Sequence, residues 1–283
     1  MEYKFDKRTP FRTHLEDYAE KWDGMAHLRR EDGILEVRFH TDDGPVRFCE
    51  AIHAGYLGLI FDISHDPDNE LVIITGTGDS YLALSDKEMS FEHVDYTTSV
   101  TYDWWYLLAT RVPLAWLDIP VPVICACNGP FTIHPESVLL ADYIIAGDNV
   151  FTIDRHIKDA GAPPIDGVDI IYDRLLGPNR SRAMLMNGDI GLIDAQKGLE
   201  LGVFAEVVPH GTELARAHEF AKEYMARTTR PVRRMTRETL TQPWREILTQ
   251  RIRSSLVHEC YASELRTDAR PEEGHVNMVD KEM

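Results

Sequence analysis

Three short apolar runs constrain this chain most. Residues 71–75 (Leu-Val-Ile-Ile-Thr), 121–127 and 142–146 are compact and rich in β-branched side chains. Gly76-Thr77-Gly78-Asp79 closes the first run, and Asn128-Gly129-Pro130 closes the second. Runs of this length with turn residues behind them read as strands buried on both faces. Helical spacing fills the gaps, over 48–63 and 104–117, with further helices over 168–176, 181–186 and 194–201. Residues 34–40 alternate like a half-buried strand, and further strands are expected at 150–153 and 203–208. Strands alternating with helices predict an α/β fold around a parallel sheet. Such folds place their sites in the loops after the carboxyl ends of strands. Here those are the loops after Thr75 and after Asn128.

The ends of the chain have a different texture. Residues 1–30 are polar with scattered aromatics and read as an N-terminal arm. A core is expected over 31–210, and a helical region broken at Pro231 and Pro243 over 211–265. Residues 266–283 are polar and read as a tail.

Charge removes several classes of function. Asp plus Glu number 47 against 30 Lys plus Arg, a net charge of −17. Nucleic-acid binding rests on Lys and Arg neutralising phosphates, so no nucleic-acid partner is expected. No stretch approaches the roughly 20 apolar residues of a spanning helix, so no membrane partner is expected either. The first 22 residues are charged and carry no apolar segment, which predicts a cytoplasmic protein. Four cysteines in a chain of 283 residues make no disulfide framework. Cys125 and Cys127 fall on one side of their strand and read as buried thiols, because a C-x-C metal site lacks its second pair.

Familiar motifs fail at identifiable residues. Gly76-Thr77-Gly78 begins a dinucleotide fingerprint, but Tyr81 stands where the third glycine belongs. There is no Walker sequence and no G-x-S-x-G elbow. His258-Glu259 opens like a zinc helix, but Ala262 replaces its second histidine. Three polar groups remain beside apolar runs. His134, between Ile133 and Pro135 at a helix start, is either a donor to a carbonyl oxygen or a packing histidine. His156 and Asp166 flank a Gly/Pro-rich loop and form either a water-activating dyad or a loop salt bridge; Asp154, Asp159 and Asp169 are equally placed to pair with His156. Glu259, beside Leu256, Val257, Tyr261 and Leu265, is either a proton-transfer carboxylate or a surface residue.

Taken together, these segments resemble the crotonase (enoyl-CoA hydratase/isomerase) superfamily. Leu71 to Gly78 resembles its strand and turn before the first oxyanion loop, and Pro120 to Pro130 its "kPviAavnG" segment. Ala141-Asp142-Tyr143-Ile144-Ile145-Ala146 resembles its "cDi-iA" strand. Leu176-Gly177, Ala183 to Gly188 and Asp194-Ala195 to Gly202 follow its later pattern. The resemblance spans roughly residues 30–265 and implies a crotonase-like ββα spiral with a C-terminal helical region. The second oxyanion loop departs from the glycine-rich family form, because it reads Gly129-Pro130-Phe131-Thr132-Ile133-His134-Pro135-Glu136. The first reads Tyr81-Leu82-Ala83-Leu84-Ser85-Asp86, again without its glycine.

Those departures are similar to the 6-oxocamphor hydrolase branch, whose members cleave a C–C bond of a β-diketone. Its "N-G-P-x-x-x-H-P-E" loop matches Asn128 to Glu136. Its catalytic histidine, five residues after a strand Phe, matches His156 after Phe151. Its "P-x-D-G" turn matches Pro164 to Gly167, and its helical "H-E" pair matches His258-Glu259. The resemblance therefore implies His156, Asp166, His134 and Glu259 as catalytic residues, with Phe48, Leu84 and Phe131 at the substrate. Phe48 stands where that branch has a Trp. The implied activity is retro-Claisen hydrolysis of a small neutral cyclic or bicyclic β-diketone to a keto acid, with no cofactor and no metal. A homotrimer or dimer of trimers is implied as well. Two other readings stay open at this stage: hydration, isomerisation or decarboxylation of an acyl-CoA or natural product, and a non-catalytic scaffold.

Overall fold

The structure is a computed structural model that describes residues 12–48, 50–82, 102–103, 105–154, 163–164, 166–186 and 192–268. Its main sheet has six strands. Their spatial order is β1 (Ala26–Glu31), β2 (Ile34–Phe39), β3 (Leu71–Thr75), β4 (Val123–Cys127), β5 (Tyr143–Gly147) and β8 (Glu206–Val208). β1 and β2 form an antiparallel hairpin through Asp32 and Gly33, both at positive φ (50° and 80°), as a two-residue turn between right-twisted strands requires. Every other neighbouring pair is parallel. A small antiparallel pair, β6 (Phe151–Thr152) and β7 (Ile193–Asp194), lies apart from this sheet.

Helices supply the crossovers. α1 (Leu15–Trp22) precedes the hairpin, and α2 (Glu50–His65) joins β2 to β3. A π-helical segment, Tyr106–Arg111, runs into α3 (Val112–Asp118) before β4. α4 (Glu136–Leu139) is a single turn between β4 and β5. α5 (Val168–Leu176), α6 (Pro178–Met186) and α7 (Ala195–Glu200) follow, and α8 (Glu213–Arg227) and α9 (Arg230–Asp268) close the chain. This is the mixed α/β architecture with a parallel-rich sheet and a C-terminal helical region that the strand–helix alternation predicts.

The period of two along each strand divides the core. Leu35, Val37, Val72, Ile74, Cys125, Cys127 and Ala146 face the larger core under α2, α3 and α5. Their strand neighbours Ile34, Leu71, Ile73, Ile124, Ala126 and Ile145 face a second core completed by Ala217 and Ala221 of α8. Covering both faces explains why β3 and β4 are apolar throughout rather than alternating.

Two details differ from the sequence reading. The arm over 1–30 contains a sheet strand: β1 buries only alternate side chains at the sheet edge, so its polar residues hide the strand pattern. Pro231 and Pro243 do not break the C-terminal region. Pro231 sits in the first turn of α9, where an amide N–H is not needed, and the helix continues through Pro243. The actual break is at Thr228–Thr229. Arg237 of α9, 2% exposed, then anchors the helix to the body. It donates to Asp142 Oδ1 (2.6 Å) and to the carbonyls of Trp116 (2.8 Å), Ile119 (3.3 Å) and Leu140 (3.4 Å). Among the described residues no helix is long and apolar enough to cross a membrane.

Candidate active site

The loop after β4 is held by the end of β3. Asn128 Oδ1 accepts from Gly76 N–H (2.9 Å), and its Nδ2 donates to the carbonyls of Gly78 (2.7 Å) and Ser80 (3.3 Å). A Cβ on Gly129 would collide with the Asp79 carbonyl, so only glycine lets the two loops lie this close. Phe131 continues the loop as an extended residue bridged to Leu82 on one side and Thr152 on the other. Its ring is fully buried and meets Tyr81 and Phe204 edge-on. Among the described contacts Phe131 packs against the core behind the loop.

Beyond Phe131 the chain turns sharply. His134 sits at φ 46°, a left-handed conformation uncommon for a residue with a side chain. Such strain persists only where the surroundings over-determine it, and it clusters at functional sites. The turn carries the imidazole into the protein, where it is 6% exposed. Nδ1 lies 3.3 Å from Glu136 Oε1 and 3.9 Å from Asp166 Oδ2. One ring face stacks on Phe48, with centroids 4.3 Å apart and planes 22° apart. His53 packs against the same ring at 4.2 Å, tilted 53°.

Each neighbour arrives on a different element. Phe48 precedes α2, and His53 lies in its first turns. Glu136 opens α4. Asp166 and Gly167, both at positive φ (60° and 77°), form the turn before α5. A Cβ on Gly167 would press on Leu248 and Ile252 of α9, so the long C-terminal helix backs the Asp166 turn. The helix start at His134 is weaker than its sequence suggests, because α4 is one turn long and aligns few peptide dipoles.

The electrostatics are asymmetric. Burial pushes the His53 imidazole well below its usual pKa, and its repulsion with the neighbouring His134 ring acts in the same direction, against Asp166. His53 is therefore neutral. Both of its ring nitrogens, and Glu136 Oε2, are buried with no hydrogen-bond partner among the described residues. His53, His134 and Glu136 each offer one ligand atom within 4.8 Å of the others, so they are the residues here that could hold a metal ion. With a carboxylate accepting from Nδ1–H, His134 donates from Nε2 only when the ring is doubly protonated or Nδ1 carries a cation.

The structure thus brings Phe48, His134 and Asp166 together. His156 and Leu84 lie outside the described residues, and for Glu259 only its place in α9 is described. Sequence reasoning missed His53 and the role of Glu136. Their signals were faint: one histidine in an apolar helix, and a carboxylate two residues after His134.

Comparison with known proteins follows the same lines. A family model described as enoyl-CoA hydratase/isomerase matches residues 29–275. The chain is similar to a β-diketone hydrolase from the cyanobacterium Anabaena sp. PCC 7120, solved with (S)-3-oxocyclohexyl acetic acid bound. The identity is 35%, covering 88% of this chain and 98% of that one, with a TM-score of 0.82. An enoyl-CoA hydratase/isomerase from Mycobacterium paratuberculosis shares the fold at 19% identity, covering 85% of this chain and 94% of that one, with a TM-score of 0.74. An enoyl-CoA hydratase from Bacillus halodurans does so at 14% identity, with 85% and 95% coverage and a TM-score of 0.72. Among curated proteins none matches the chain.

Proposed function

The chain belongs to the enoyl-CoA hydratase/isomerase family, and from that premise we propose that it is a hydrolase cleaving a C–C bond of a cyclic or bicyclic β-diketone by a retro-Claisen reaction. One observation carries this reading. A buried histidine, fastened by Glu136 and facing Asp166, occupies the loop that serves glycine-based oxyanion chemistry elsewhere in the family. The likeness to a β-diketone hydrolase supports it.

The reaction begins when His156, oriented by Asp166, takes a proton from water as the oxygen adds to one carbonyl. As the imidazolium, His134 donates a hydrogen bond from Nδ1–H to Glu136 and offers Nε2–H to a substrate oxygen, stabilising the charge that develops there. The tetrahedral adduct collapses, the C–C bond between the carbonyls breaks, and its electron pair becomes an enolate on the second carbonyl. A proton from His156 or Glu259 quenches the enolate, leaving a keto acid. General-base catalysis contributes roughly 10²–10⁴-fold in such steps. Phe48 and Leu84 border the substrate, no cofactor is consumed, and the working form is a cytoplasmic homotrimer or dimer of trimers.

Loss of diketone absorbance, followed with purified protein and a panel of cyclic and bicyclic 1,3-diketones, tests the reading. Turnover to a keto acid that collapses in His156→Ala and Asp166→Asn is the expected result. No turnover of any diketone, together with measurable CoA binding, would overturn it.

A further inference from the structure

We propose that His53, His134 and Glu136 form a binding site for a divalent transition-metal cation, with zinc as its representative. The proposal goes beyond the hydrolase reading, which invokes no metal, and shares His134 and Glu136 with it: a cation on either His134 nitrogen takes the place of a proton that the reading uses. The three side chains come from α2, the strained turn after β4 and the start of α4, and their donor atoms lie within 4.8 Å of one another. All three are buried, at 1%, 6% and 1% exposure.

Unmet polar atoms occur at this cluster. Both nitrogens of His53 and Oε2 of Glu136 are buried without a hydrogen-bond partner among the described residues. Buried polar atoms are costly unless they are hydrogen-bonded or coordinate a metal. Two imidazoles and one carboxylate are a donor set that zinc takes with its fourth position open. Nitrogen donors favour zinc, nickel, copper or iron over magnesium and calcium, which take oxygen ligands. Asp166 Oδ2, 3.9 Å from His134 Nδ1, adds a second carboxylate beside the first.

Some opening accompanies loading. The ring centres of His53 and His134 stand 4.2 Å apart, whereas one zinc at about 2.1 Å from each nitrogen sets them about 5 Å apart. A second cluster, His27, His40 and Asp43, provides the contrast. There both nitrogens of His27 already meet carboxylates, Asp23 at 3.1 Å and Asp43 at 2.8 Å, and the cluster is largely exposed. Its polar atoms are satisfied without a cation.

The test is a titration of chelator-treated full-length protein with Co²⁺ and then Zn²⁺. One equivalent of Co²⁺ per chain is expected to give a tetrahedral visible absorption band that one equivalent of Zn²⁺ abolishes. His53→Leu and Glu136→Gln should each weaken binding by about tenfold or more, and His27→Ala should leave it unchanged. Ring-nitrogen NMR of wild-type protein needs no variant to fold: Zn²⁺ should move the resonances of His53 and His134. No binding by wild-type protein would overturn the proposal. So would binding that survives both His53→Leu and Glu136→Gln, or resonance shifts confined to His27 and His40.

Discussion

A single backbone angle shows how the site is made. His134 is held at φ 46° so that its ring enters the core between Phe48 and His53. Asparagine tolerates the left-handed region and keeps a polar side chain. His134→Asn is therefore expected to keep the wild-type melting temperature within a few degrees while diketone turnover falls by about 10²-fold or more. Thermal melts paired with the absorbance assay check both halves, and full turnover in His134→Asn would remove the polarising role. Asn128 acts on the same scale. Its amide serves three backbone groups of the neighbouring loop, so Asn128→Ala should cost about 1–3 kcal/mol in denaturant unfolding, because the Gly76 N–H is left buried and unpaired.

Among elements, the packing of α8 on the sheet carries a titratable clip. His218 Nε2 of α8 lies 2.8 Å from Glu36 Oε2 of β2, and Arg38 donates to the other oxygen at 2.9 Å. Burial raises the Glu36 carboxyl, but the hydrogen bonds from His218 and Arg38 outweigh it and leave the pKa below the usual value of 4.5. The unfolded chain thus binds the proton at a higher pH than the folded one. The clip's stabilisation is present above about pH 4.5 and is lost as pH falls through the lower folded value. Glu36→Gln should lower stability at pH 7 by about 1 kcal/mol, as befits a partly exposed pair. That difference should shrink as pH falls from 7 to 3, and urea unfolding of both proteins at the two pH values measures it. How far elements were legible follows burial. β3 and β4 are apolar throughout and stand out in the sequence, whereas β1, half exposed at the edge, merges with its polar surroundings.

At the level of the whole molecule, α9 joins what the chain order separates. Arg237 pins it to α3 and the start of β5, and Leu248 and Ile252 back the Asp166 turn. Removing one member of a buried ion pair leaves the other charge uncompensated, so Arg237→Ala should destabilise by about 3–5 kcal/mol. The double variant Arg237→Met with Asp142→Leu should recover much of that loss, and chemical denaturation of the three proteins gives the comparison. Because α9 also supports Asp166, Arg237→Ala is expected to lower turnover at temperatures where the protein is still folded.

The sequence by itself determined the parallel strands, the turns that end them, the family, and His134 and Asp166 as candidates. Each of these rests on local chemistry: β-branched runs, Gly and Pro punctuation, and polar residues beside apolar ones. Only the tertiary structure decided which groups share a pocket. Phe48, His53, His134, Glu136 and Asp166 span more than a hundred positions, and no local pattern encodes their meeting. The same packing buries the Phe131 ring, which no local pattern encodes. Which side of a turn a ring enters is settled by the close approach of two loops at Gly129 and by the helix behind Gly167, both contacts between distant parts of the chain.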